Sequence, residues 1–297
     1  MTENFLLHII KIIVIISIFF TAYTIFKHVY AKKINIVGTP KKFITAFSIG
    51  FITDLLDTWG IGSFATTTTL FKATKFIKDD KFLPGTMTVA HAIPVLFEAL
   101  FFITAVKVEM PTLILMTSSA ILGAFLGTRV TKNWNAKLVQ RTLGFLLLIA
   151  AIVMIIRMIF DPGTSNSMEV HGLHGAWLIA GIIFNFTLGI LMTMGLGNYA
   201  PELVFFSLAG VNPLIALPVM MLDAAMVMVT SSQEFIRRDR VEWNGLLGMI
   251  LGGIVGVFIA AKVVTGIDIE LLKKITIVIV IYTGISLIHS SFKKKIQ

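Results

Sequence analysis

The chain has 297 residues, 56% hydrophobic and only 14% charged, with a mean hydropathy of +0.90. A soluble domain carries about 25% charged residues, so this composition excludes a soluble globular enzyme, a disordered chain and a fibrous repeat. It points to an all-α polytopic integral membrane protein whose main partner is the lipid bilayer. The net charge of +9 comes from 25 Lys+Arg against 16 Asp+Glu. Cytoplasmic loops collect such residues during insertion, so the excess is not read as a nucleic-acid footprint. Cys is absent, which removes disulfides, thiol nucleophiles and Cys-ligated metals. No cofactor and no metal is called for.

The first element predicted is a spanning helix at Phe5–Phe26, apolar except for His8, Lys11 and a few hydroxyls. Its basic cluster (Lys27, Lys32, Lys33, Lys41, Lys42) follows the apolar run. A cleaved signal would have positive charge before the run. The N-terminus is therefore expected outside, with Lys11 snorkelling to the outer headgroups. Apolar segments then follow at about 43–59, 62–77, 83–106, 110–131 and 141–160. A linker over 161–172 leads to a second set at about 173–195, 198–210, 212–233, 244–262 and 271–291, ending in a basic tail. This divides the chain into 1–42, 43–160, 161–172 and 173–297.

The two sets read as one unit used twice. An offset of 133 residues lays Lys107–Arg141 over Arg240–Lys274, with nine of 35 pairs identical, among them Glu109/Glu242, Met116/Met249, Gly123/Gly256 and Phe125/Phe258. A two-residue shift lays Gly60-Ile61-Gly62 over Gly195-Leu196-Gly197. The last three segments of each unit are long enough for a core of about 30 Å. The first pair of each is shorter and breaks at Gly-x-Gly, as a re-entrant hairpin or a discontinuous pair of half-helices would. The stretches 27–42, 72–81, 129–141, 237–240 and 293–295 hold 19 of the 25 Lys/Arg. Alternating the segments from an outside N-terminus puts all five in the cytoplasm of a cell-membrane protein, with the C-terminus inside. The second unit is then inverted relative to the first, which is the signature of secondary transporters.

The breaks carry the candidate site. The first runs Asp54-Leu55-Leu56-Asp57-Thr58-Trp59-Gly60-Ile61-Gly62-Ser63 and on into Thr66 and Thr67; the second is Thr193-Met194-Gly195-Leu196-Gly197-Asn198-Tyr199-Ala200-Pro201-Glu202. Glycines let the backbone turn and approach a ligand. Asn198 suits an N-cap and Pro201 a first turn, and Ser63 or Thr66 is placed to cap the first half-helix. A half-helix starting at mid-membrane aims free N–H groups and a positive dipole end at the centre. Two such ends make an anion site from Thr58, Trp59, Gly60, Gly62, Ser63, Thr66, Thr67, Thr86, Gly195, Gly197, Asn198 and Tyr199. The ordinary reading is close helix packing and threonine back-bonding. Asp57, His91 and Asp223, ionisable groups in apolar segments, form a candidate proton relay. Glu202 reads as a dipole partner, and Glu98 lies seven residues from His91 on the same helix face.

At these residues the sequence resembles the sulfite exporter TauE/SafE family. The resemblance rests on the two halves, the Gly-Ile-Gly-Ser…Thr-Thr-Thr break at 60–68, Gly-Leu-Gly-Asn-Tyr-Ala-Pro at 195–201, and Val-Glu-Trp with the Gly-rich helix at 241–256. It covers about residues 43–290, and Phe64 and Thr68 stand where the family pattern often has a small residue and a proline. It implies transport of a small sulfur-containing anion such as sulfite, thiosulfate or an organosulfonate, and no enzyme activity. Pro84-Gly85-Thr86 is similar to the phosphate loop of undecaprenyl pyrophosphate phosphatases. Hydrolysis would want an arginine and paired carboxylates there, yet Met87 and Thr88 follow, with no arginine before Arg129. A carrier or channel for cations or neutral solutes is the other alternative, with Asp54, Asp57 and Asp223 as cation ligands. The oligomeric state is left open.

Overall fold

A computed structural model describes residues 2–77, 79–131, 135–160, 171–211, 213–264 and 269–292. Among the described residues there are eleven α-helices and no strand. They are α1 (Thr2–Ala31), α2 (Pro40–Thr58), α3 (Ser63–Thr74), α4 (Leu83–Ala105), α5 (Met110–Val130), α6 (Ala136–Phe160), α7 (Gly175–Met192), α8 (Tyr199–Leu208), α9 (Pro213–Arg237), α10 (Leu246–Val264) and α11 (Ile269–Phe292). Six of them are long and apolar enough to cross a membrane: α1, α4, α5, α6, α7 and α9. The expected segments are all present, with α1, α6 and α9 longer than read. Most of the linker and the basic tail at 293–295 lie outside the described residues.

Local sequence explains the ends. The Thr39 hydroxyl accepts the Lys42 N–H at 3.3 Å to start α2, and Pro40 occupies the first turn. Pro84 and Pro111 stand in the first turns of α4 and α5, where a missing N–H is harmless. Pro94 and Pro218 sit inside α4 and α9 and take away one ladder donor in each. At 1.5 Å per residue, α3 and α8 are only about 18 and 15 Å long, too short for the hydrocarbon core. α7, the first member of the pair read as either a re-entrant hairpin or two half-helices, is an uninterrupted 18-residue apolar helix, about 27 Å long, because no glycine pair or charge interrupts it before Thr193.

The apolar spans of α4 and α9 are 83% buried, against 17% for α1 and 22% for α6. The two pack on each other as the central pair, with α1, α6 and α7 at the periphery. Glycines give the register around this pair. A Cβ on Gly252 or Gly256 would lie 2.1 or 2.4 Å from the Phe47 or Phe51 carbonyl oxygen, and Gly248 meets Phe43 at 2.5 Å. α10 therefore runs parallel to α2. Gly123 meets Phe186 and Gly127 meets Ile190, so α5 and α7 are also parallel. Gly144 meets Ile288 while Gly284 meets Leu148, which makes α6 and α11 antiparallel. Small residues at these crossings let the backbones touch. α1 packs on α4 and is tied to the α9–α10 loop by Lys32–Asp239 at 2.5 Å and by His28 stacked on Trp243.

Candidate functional site

The first break follows from two residues of positive φ, Gly60 (+86°) and Gly62 (+85°), a conformation that glycine adopts without cost. They turn the chain so that the last turn of α2 meets the first of α3. The Ser63 N–H then donates to Asp57 Oδ1 at 2.5 Å. This corrects the expected cap. Gly62 holds the N-cap position, Thr66 back-bonds to the Ser63 carbonyl at 2.8 Å, and the carboxylate of Asp57 takes the helix end. The positive end of α3 is thus already matched by an acidic group of its own break.

A buried polar cluster grows from there. His91 on α4 bonds through Nδ1 to Asp54 Oδ1 at 2.7 Å and through Nε2 to Thr67 Oγ1 at 2.8 Å. Thr58 donates to Glu98 Oε1 at 3.0 Å. The Tyr199 hydroxyl, arriving from α8, faces Asp57 Oδ2 at 3.4 Å and Glu98 Oε2 at 3.2 Å. Asp54, His91, Glu98 and Thr67 are 0% exposed and Asp57 is 2%. The Thr67–His91–Asp54 chain has the order of a nucleophile, a base and an orienting acid. However, Thr67 is fully buried and borders neither cavity described below.

The second break turns at Gly195, φ +86°. Asn198 occupies the N-cap position of α8 as expected but makes no side-chain cap. Its amide donates instead to Glu202 Oε1 at 2.6 Å and to the Met220 carbonyl at 2.9 Å. The opening N–H groups of α8 are left without a side-chain cap. Pro201 and Glu202 lie in the first turn as read. Glu202 faces Asp223 of α9, which accepts hydrogen bonds from Thr117 of α5 and Asn185 of α7. The relay expected from sequence is therefore rearranged. His91 is bonded to Asp54 rather than Asp57, and Asp223 belongs to this second cluster.

Both breaks open onto one cavity of about 240 Å³. Gly62, Phe64 and Thr68 border it from the first half, and Gly195, Gly197, Tyr199 and Ala200 from the second. Lys72 of α3, Lys137 and Gln140 of α6, and Thr283, Ser286 and Ser290 of α11 complete its wall. Adjoining it is a chamber of about 10 Å³, bordered by Asp57, Ser63, Asn198 and Tyr199, at the limit for a single water. Gly62, Phe64, Gly197 and Tyr199 border both spaces.

The structure thus brings Gly62, Ser63, Gly195, Gly197, Asn198 and Tyr199 together around these spaces. Thr58 and Thr67 serve the acidic cluster, Gly60 packs near Met220 and Ile279, and Thr66 is spent on its own helix. Two expected residues lie elsewhere. Trp59 is 39% exposed. Thr86 bonds the Phe82 carbonyl and the Glu242 N–H, bracing the α9–α10 loop. Sequence reading missed Lys72 and Lys137, taken only as loop charges, and Thr117 and Asn185. Asn185, a lone amide in an apolar run, was a legible signal. No family model, curated protein or solved structure matches this chain.

Proposed function

We propose that the chain is a secondary transporter that carries a small sulfur-containing anion (sulfite, thiosulfate or an organosulfonate) across the cytoplasmic membrane by alternating access. The observation that carries the anion reading is the cavity. Two lysines, several hydroxyls and the uncapped N-terminus of α8 converge on one space where the two glycine breaks meet. Cationic side chains and free backbone N–H groups are the donors that an oxyanion needs. Sulfur rests on the resemblance at 60–68, 195–201 and 241–256.

The inverted repeat is supported by packing. α2 pairs with α10 and α5 with α7, each in parallel, while α6 and α11 are antiparallel. Exchanging α2–α6 for α7–α11 maps each of these pairings onto another or onto itself. The same directions follow from alternating the segments with the basic loops inside. The cavity wall reaches Lys72, Leu83 and Lys137, near loops assigned to the cytoplasm, so the conformation is inward-facing. The N-terminus is then outside and the C-terminus inside. Coupling to an ion gradient falls to the buried acidic residues, which the sequence reads as a proton relay.

The test is flux in proteoliposomes against sulfite, thiosulfate, taurine, sulfoacetate, sulfate and acetate, with and without a pH gradient. Saturable flux of a sulfur oxyanion or sulfonate is expected. Absence of flux for every member of the panel would overturn the anion reading.

A further inference from the structure

The geometry points to a binding site for a hard monovalent cation of the Na⁺ type, built from Asp54, Asp57 and Glu98. One carboxylate oxygen from each lies within 4.8 Å of the others. A single point is then within about 2.8 Å of all three, close to the 2.3–2.6 Å of hard-cation coordination by oxygen. The hydroxyls of Thr58 and Tyr199 border the same carboxylates, so the donor set is all oxygen and suits a hard ion.

Two further observations point to a ligand. Asp54 is fully buried, and its Oδ2 has no hydrogen-bond partner. A buried carboxylate oxygen without a partner is costly, and a coordinated cation would satisfy it. Gly253 of α10 leaves it room, since a Cβ there would lie 2.2 Å from Oδ2. Second, Asp54 and Asp57 stand in the last two turns of α2, whose end carries no basic residue. The C-terminal end of a helix is its negative end, and such ends at membrane depth coordinate coupling cations in transporters.

A monovalent ion fits because the carboxylates already hold other donors: Asp54 Oδ1 bonds the His91 ring, and Asp57 Oδ1 takes the Ser63 N–H at the positive end of α3. Both Glu98 oxygens, Asp57 Oδ1 and Asp54 Oδ1 are already hydrogen-bonded, which leaves too little free oxygen for the six to eight ligands that Ca²⁺ takes. This inference deepens the transporter reading by naming its coupling ion, and binding itself can be measured without any substrate.

The experiment is equilibrium binding of radioactive Na⁺ to the purified full chain in detergent, with choline as the balancing cation. Saturable binding of one Na⁺ per chain is expected. Glu98→Gln and Asp57→Asn should abolish it. Tyr199→Phe, which keeps every charge, should weaken it on the order of tenfold, as loss of one supporting group does at metal sites. Glu109→Gln, at the α5 N-terminus, should leave it unchanged. Size exclusion establishes that each variant is folded, and Tyr199→Phe remains decisive if Asp57→Asn fails to fold. No saturable Na⁺ binding by monodisperse wild-type protein would overturn the site, as would equal binding by Glu98→Gln and Tyr199→Phe. Anion flux in the same preparation separates the two claims. Na⁺ binding without any anion flux keeps the site and defeats the anion reading, whereas anion flux without Na⁺ binding does the reverse.

Discussion

Gly197 separates passage from packing more cleanly than any other residue of the breaks. It borders both the 240 Å³ cavity and the adjoining 10 Å³ chamber. A Cβ added there meets no heavy atom within 4 Å, and its φ is not in the left-handed region. Gly197→Ala therefore introduces no clash and should change stability by less than about 1 kcal/mol. A chamber at the limit for one water is nevertheless filled by one methyl group. Gly197→Leu adds three more carbons and should close the passage altogether. Gly252→Leu is the contrasting change, because its Cβ would lie 2.1 Å from the Phe47 carbonyl oxygen. Backbone cannot retreat as a flexible side chain does, and overpacking of this kind costs about 1–3 kcal/mol or more.

The assay pairs thermal melting in detergent with initial flux rates in proteoliposomes. Gly197→Leu should melt like wild type and show flux reduced to background, with Gly197→Ala between the two. Gly252→Leu should lose both. Wild-type flux from well-folded Gly197→Leu would remove the second break from the permeation path, and with it the shared-cavity argument.

Lys72→Gln and Lys137→Gln each remove one cation from the cavity wall. Because Lys72 is exposed and Lys137 half-buried, each should cost about 1 kcal/mol, a roughly fivefold rise in KM with kcat little changed; an unchanged KM in both would exclude the cavity as the anion site. His91→Leu strips Asp54 of its bonded partner, and breaking a buried pair costs about 3–5 kcal/mol, so the melting temperature should fall far more than for Thr67→Val, which loses one hydrogen bond worth about 1 kcal/mol. Since the chain has no cysteine, Asn35→Cys and Lys107→Cys can be labelled singly; they should react from opposite faces, Lys107→Cys from outside, and same-side labelling would refute the topology. The hydrogen bond from Lys32 holds the Asp239 carboxyl below the usual carboxylate range. A lowered native value means that this tie is complete above the unfolded pKa of about 3.9 and is lost only as pH falls through the native one. Protease protection of the α9–α10 loop should therefore be flat between about pH 5 and 8, and Asp239→Asn should reduce it throughout that range; a drop between pH 8 and 5 in wild type would contradict the assignment.

Hydropathy made most of the helices legible, because a long apolar run has few other fates. The glycines at 60, 62 and 195 were legible too, since Gly-x-Gly inside an apolar stretch breaks a helix. Partnership was not legible. Asp54 and His91 are 37 residues apart, and they meet only because α10 packs against both α2 and α4 and brings the two together. Asp57 was read as one side of a proton relay, but its nearest donor is the backbone of the helix it precedes. Lys72 and Lys137 were hidden for a different reason. As loop charges they fit the positive-inside expectation, which left nothing about them to explain, yet both fall on the cavity wall.

The two breaks share a backbone device but differ in charge, and that difference suits the coupled carrier proposed above. In the first, a carboxylate occupies the helix start and two others stand close by. In the second, the helix start is left open toward the cavity. Tyr199 touches both, since it begins α8, borders both spaces, and its hydroxyl reaches Asp57 and Glu98. An anion settling at the start of α8 adds negative charge beside carboxylates already short of positive charge. A cation held by those carboxylates relieves that repulsion, and by reciprocity the anion strengthens the hold on the cation. If so, Tyr199→Phe should leave each ion able to bind alone while reducing the factor by which one raises the affinity of the other. A coupling factor unchanged in Tyr199→Phe would mean that the two breaks communicate through helix movement rather than through this hydroxyl.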